Sequence, residues 1–160
     1  MNIRPLEPTD FDVISPVIDE WWGGRPVRGL LPRLFFDHFQ TTSFALTDDQ
    51  NLAGFLVGFR SQSFPSVAYV HFLGIRPDVR MKGYGRLLYE RFCYAASSLG
   101  CTEVRAITSP VNESSIRFHL RLGFRLLPGD GEVGGFPVSL DHGGPGLHRV
   151  LFSKQLVSKP

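Results

Sequence analysis

The spacing of apolar positions changes several times along the chain, and each change marks an element. Val67 to Ile75 reads as a strand, closed by Arg76-Pro77-Asp78. Beyond it Leu88, Phe92, Ala95, Ala96 and Leu99 fall at i, i+4, i+7, i+8 and i+11, one face of a helix. Gly100 is the expected stop of that helix, and Glu103 to Thr108 is a strand again. A β-α-β unit of this kind predicts two parallel neighbours. Asn112 to Leu122 is a short helix ended by Gly123, and Phe124 to Leu127 a further strand.

The N-terminal part predicts a strand over Ile3 to Leu6, held short by Pro5 and Pro8. Thr9 or Asp10 then caps a helix with Phe11, Val13, Ile14, Val17 and Ile18 on its apolar side, broken or kinked at Pro16. A second helix is expected over Leu30 to Gln40, with Leu34, Phe35, Phe39 and His38 inward. Ser43 to Thr47 and Leu52 to Ser61 form a hairpin turned at Asp48 to Asn51. Near the C-terminus, Pro128 to Gly146 reads as a long glycine-rich loop, Leu147 to Leu156 as a last strand and 157–160 as a tail. The expected architecture is one α/β domain of the α+β type over 1–160: a mixed, mostly antiparallel sheet with helices on both faces.

Composition narrows the partners. An apolar share of 42% with 14 Phe supplies a core, and a net charge of +2 without a basic stripe argues against nucleic acid. No run of 18 apolar residues suggests a membrane span, and the Met1 to Pro5 stretch lacks the apolar part of a secretory signal. Cys93 and Cys101 form neither a disulfide framework nor a zinc pattern, so a cytoplasmic protein without a metal is expected.

Between the strand and the long helix lies Val79 to Arg86, carrying Gly83 and Gly85 among Arg80, Lys82 and Arg86. Helix N-termini hold unpaired N–H groups at the positive end of the macrodipole, and glycine lets an anion approach the backbone. A Walker A loop is absent, and Leu88 stands where a dinucleotide fingerprint needs its third glycine. Arg80-Met81-Lys82-Gly83-Tyr84-Gly85 instead fits [Q/R]-x-x-G-x-[G/A] and resembles the acyl-CoA pyrophosphate loop of the GNAT N-acetyltransferase family. A second signature, N-x-x-A/S-x-x-x-Y-x-x-x-G-F, is matched by Asn112, Ser115, His119, Gly123 and Phe124, with His in place of Tyr.

The resemblance covers about residues 1 to 127 and implies a splayed cleft for acetyl-CoA or another acyl-CoA, with an amine as acceptor. By the same resemblance Met81 to Arg86 hold the pyrophosphate, with Arg80 beside them. Leu73, Gly74 and Ile75 offer backbone to the pantetheine arm, Gly74 suiting the bulge that splays the central strands. Asn112, with Ser115 on the same helix, meets the pantetheine or the acceptor, or is a plain N-cap. A homodimer is possible by analogy with relatives.

Acylation requires a neutral amine, so the site must remove a proton. Strand alternation puts Tyr69, His71 and Leu73 on one face. Tyr69 stands where relatives carry the base and is a poor base itself, which shifts the role to His71 or a water it holds; otherwise His71 is a strand histidine held by a neighbour. His119 either protonates the departing sulfur or only touches the donor, and Tyr84 is expected to pack. Trp21, Trp22 and Arg25 are placed to wall the acceptor cleft. Aromatics there suit a cationic amine, which Asp19, Glu20 or Asp141 could neutralise, whereas Arg25 or Arg28 suits a carboxylate. The expected activity is direct acetyl transfer to a small primary amine. Peptide or protein acetylation and a non-catalytic acyl-CoA-binding module are the alternatives.

Overall fold

The computed structural model describes residues 1–157; of the expected tail, 158–160 lie outside the described residues. β1 (Asn2–Pro5), β2 (Phe44–Asp48), β3 (Asn51–Arg60) and β4 (Val67–Ile75) run as an antiparallel meander. β5 (Glu103–Thr108) joins β4 in parallel, followed across the sheet by β9 (Val150–Gln155) and β6 (Arg125–Leu126), both antiparallel to their neighbours. The long helix α4 (Tyr84–Ser98) is the crossover from β4 to β5, and Gly100 ends it at φ +86°.

Helices cover both faces. On one, α4 and α5 (Glu113–Arg121) bury Leu88, Phe92 and Ile116 against Phe44, Leu56 and Val70. On the other, α1 (Asp10–Ile14), α2 (Ile18–Trp21) and α3 (Leu34–His38) bury Ile14, Ile18, Trp21 and Phe36 against Phe55, Val57 and Phe72. Gly58 lets α4 lie close to β3, since a Cβ there would stand 2.3 Å from the Phe92 ring.

Two expected segments are corrected. Instead of one helix over 30–40 there is a 3-10 turn at Arg28–Leu30, then α3, then a second 3-10 turn at Gln40–Thr42. Pro32 interrupts the backbone bonding between the first two, and α3 turns Phe36 to the core while Leu34 and His38 are exposed. The break expected at Pro16 is present, α1 ending at Ile14 and α2 starting at Ile18. The Pro128 to Gly146 stretch is not all loop: β7 (Gly131–Val133) and β8 (Phe136–Val138) pair as a hairpin. Its two-residue turn is Gly134-Gly135, both at positive φ, as a primed hairpin turn requires. Among the described residues, no helix is long and apolar enough to cross a membrane.

Candidate active site

β4 and β5 touch only at their start. Val67, Ala68 and Tyr69 pair with Glu103, Val104 and Arg105, and there the ladder stops. Past that point β4 stays paired with β3 through Ile75, while Ala106, Ile107 and Thr108 stay paired with β9. The two central strands therefore part, opening a cleft whose closed end is Tyr69 and Arg105.

His71 stands just beyond that end, on a β-bulge. Val57 pairs with Phe72 and Gly58 with Val70, so His71 is the extra residue of β4. A bulge resets strand alternation. Tyr69 and His71 do share a face: Tyr69 stacks on Phe59 at 5.4 Å, and His71 stacks on Phe35 at 4.4 Å with the planes 17° apart. Leu73 does not share it; with Val70 and Ile75 it packs toward α4. The bulge also sits at His71 rather than at Gly74, which is glycine because a Cβ would come within 2.5 Å of the Phe55 ring.

The His71 Nε2–H donates to the Leu30 carbonyl. A carbonyl only accepts, which fixes the proton on Nε2 and leaves the Nδ1 lone pair free. Burial pushes the Tyr69 hydroxyl pKa up, so this phenol keeps its proton.

The loop after β4 turns through a 3-10 segment, Pro77–Val79, and then Met81 and Gly83 at φ +66° and +82°. Nothing lies within 4 Å of where a Gly83 Cβ would be. The first bond into α4 is Leu87 N–H to the Gly83 carbonyl, at 3.2 Å. Tyr84, Gly85 and Arg86 therefore present N–H groups without intrahelical acceptors. Lys82 and Arg86 are exposed beside them. Arg80 turns away from the loop: Nη2 donates to the Trp21 carbonyl and Nε to the Ile75 carbonyl at 3.2 Å, tying the loop to α2. The Tyr84 hydroxyl, expected only to pack, donates to Asp48 Oδ2 at 2.6 Å, a bond that pushes its pKa up.

On α5, Asn112 is the N-cap and its Oδ1 accepts the Ser115 N–H at 3.3 Å and the Ser114 hydroxyl at 3.1 Å. His119 is buried and both its ring nitrogens are engaged. Nδ1–H donates to the Ser115 carbonyl at 2.8 Å, so Nε2 is the acceptor, and the Tyr89 hydroxyl donates to it at 2.7 Å. Burial lowers the His119 pKa, partly offset by the Ser115 bond. The ring also stacks on Phe152 at 4.4 Å. Tyr89 went unnoticed in the sequence because its partner lies 30 residues away.

At the end of α2, Trp21 is buried against Phe55, whereas Trp22 is half-buried, 4.7 Å from the Phe72 ring. Arg25 is exposed and donates from Nε to the Trp22 carbonyl at 3.4 Å. Asp19 Oδ1 accepts the N–H groups of Val27 and Arg28, at 2.9 and 2.8 Å. His142 and His148 serve the Ser139–Arg149 turn, bonding Ser139 Oγ and the Asp141 N–H. Among the described residues, no group of three His, Cys, Asp or Glu could hold a metal ion.

The family model described as the acetyltransferase (GNAT) family matches residues 11–124. Sequence comparison with curated proteins finds no match. Solved structures share the fold at low identity. Ard1 from Thermoplasma volcanium superposes with a TM-score of 0.78 at 16% identity, covering 98% of each chain. The diaminobutyrate acetyltransferase EctA from Paenibacillus lautus, bound to L-2,4-diaminobutyric acid and coenzyme A, gives 0.73 at 20% identity, covering 99% of this chain and 96% of its own. The aminoglycoside 6'-N-acetyltransferase from Enterococcus faecium gives 0.73 at 15% identity, covering 100% of this chain and 99% of its own.

Proposed function

The chain belongs to the acetyltransferase (GNAT) family, and from that premise we propose that it moves the acetyl group of acetyl-CoA to a primary amine of a small molecule by direct attack, with His71 as the base. The parting of β4 from β5 immediately past Tyr69 and Arg105, with the free Nδ1 of His71 at the parting, carries the reading.

The residues fit the donor. The N–H groups of Tyr84, Gly85 and Arg86, the open face of Gly83 and the exposed Lys82 and Arg86 suit a pyrophosphate. The backbone of Leu73 and Gly74 and the Ile75 N–H, beyond the end of the β4–β5 ladder, suit the amides of the pantetheine arm, the Ile75 carbonyl being held by Arg80. The Asn112 side-chain amide N–H, on the far lip of the cleft, is left for the donor or the acceptor, since Oδ1 serves as cap. The thioester supplies the acetyl group and a sulfur leaving group.

His71 Nδ1 takes the proton from the amine, directly or through one water. The freed lone pair bonds to the acetyl carbon, the C–S bond breaks and its electron pair leaves with sulfur. The second nitrogen proton passes to the departing thiolate or to water, leaving a neutral amide, and His71 returns its proton to solvent. A thiolate has an ordinary pKa near 8.5, so it departs without an acid. His119 is neutral and donates only to Ser115, so we assign it to shaping the cleft wall rather than to proton transfer. No acyl-cysteine is proposed, because burial pushes the thiols of Cys93 and Cys101 up.

The test is thiol release from acetyl-CoA with an amine panel, comparing wild type with His71→Ala. Loss of a general base lowers the rate by about 10²- to 10⁴-fold, with acetyl-CoA affinity by calorimetry unchanged. Full turnover by the variant overturns the assignment.

A further inference from the structure

Apart from the exposed Glu20, the charged residues expected to meet the acceptor are committed to the fold. Asp19 caps the 23–28 turn through two backbone N–H groups. Arg25 and Arg28 donate to the carbonyls of Trp22 and Pro16, and Asp141 accepts the Gly146 N–H at 2.8 Å. What remains beside His71 is a chain of rings. His71 stacks on Phe35, Phe35 lies 5.0 Å from Phe39, Phe39 lies 5.6 Å from Phe59, and Phe59 lies 5.4 Å from Tyr69, two residues before His71. All five are half-buried, so each ring keeps part of its surface open to a ligand.

Such a wall recognises by area and ring geometry, since aromatic pairs gain from edge and offset contacts at centroid spacings of about 4.5–7 Å. Apart from the Tyr69 hydroxyl, it offers a carboxylate or a second ammonium no hydrogen-bonding group. Resting on the acetyl-transfer reading above, we propose that the acceptor is a primary amine carried on a flat apolar ring, seated against Phe35, Phe39, Phe59 and Tyr69 with its nitrogen at His71 Nδ1. Before deprotonation, the ammonium is stabilised by the ring faces around it.

The experiment measures acetyl-CoA binding by calorimetry, then kcat/KM by thiol release for 2-phenylethylamine, tryptamine, n-propylamine, L-2,4-diaminobutyrate and kanamycin. The ring-bearing amines are expected to exceed the other three by at least about tenfold, the advantage lying in KM. Phe39→Leu, at a ring one contact removed from the His71–Phe35 stack, raises KM for 2-phenylethylamine about threefold to tenfold and raises that for n-propylamine by less. Phe59→Leu is the second variant should the first not fold. Preferred turnover of diaminobutyrate or kanamycin overturns the ring-amine inference while the acetyltransferase reading stands. Acetyl-CoA binding without turnover of either ring-bearing amine also overturns it, and absence of acetyl-CoA binding removes both.

Discussion

Tyr89→Phe isolates the buried bond that decides what His119 does. The phenyl ring keeps its packing against Phe118 and Phe124, with centroids 6.0 and 5.5 Å away, so the change removes one hydroxyl and little else. Nε2 of His119 is then a buried acceptor without a donor, because Nδ1–H is already on the Ser115 carbonyl. Leaving such a group unpaired costs about 1–3 kcal/mol. For a chain of this length that lowers the melting temperature by roughly 2–12 °C, at about 2–4 °C per kcal/mol. Calorimetric or circular-dichroism melts at pH 7.5 read it directly, and kcat of the folded variant is expected to stay within about twofold because the pair moves no proton. A variant that melts with wild type would refute the reasoning, as would one of intact stability whose kcat falls by orders of magnitude.

The same histidine gives the stability a pH dependence. Its folded pKa lies below the ordinary 6.5, so as pH falls below that value the unfolded chain binds a proton the native state refuses. Stability is then lost with a slope of up to about 1.4 kcal/mol per pH unit; urea midpoints at pH 7.5, 6.5 and 5.5 should show it, and His119→Gln should flatten it. Gly58→Ala places a Cβ 2.3 Å from Phe92 and 2.9 Å from the Tyr69 carbonyl. That forces α4 or β4 to shift, at a cost of about 1–3 kcal/mol in the urea midpoint.

The β2–β3 hairpin, the β4–α4–β5 crossover and the glycine-bearing loop into α4 were legible because each rests on local signals: period 2, period 3.6, and glycine at a helix start. β4 over Val67–Ile75 and β5 over Glu103–Thr108 have the expected bounds. What was not legible depends on partners distant in sequence. The bulge at His71 arises from register against β3, and counting by twos along β4 cannot reveal it; hence Tyr69 and His71 were grouped correctly and Leu73 was not. Arg80 reads as an anion ligand by position, yet its guanidinium reaches Trp21, 59 residues earlier. The β7–β8 hairpin was within reach, since Gly134-Gly135 between Val133 and Phe136 is a recognised two-residue turn signal, overlooked amid the surrounding glycines.

The central claim is that the donor lies along β4 with its pyrophosphate on the Gly83 loop. A ¹⁵N amide spectrum titrated with acetyl-CoA tests it most directly. The largest shifts are expected at Leu73, Gly74 and Ile75 and from Met81 to Arg86. The far part of the groove of about 590 Å³ that begins at Arg86, lined by Cys93, Ser97, Lys154 and Leu156, should stay unmoved. Shifts concentrated in that groove, with Met81 to Arg86 silent, would contradict the account.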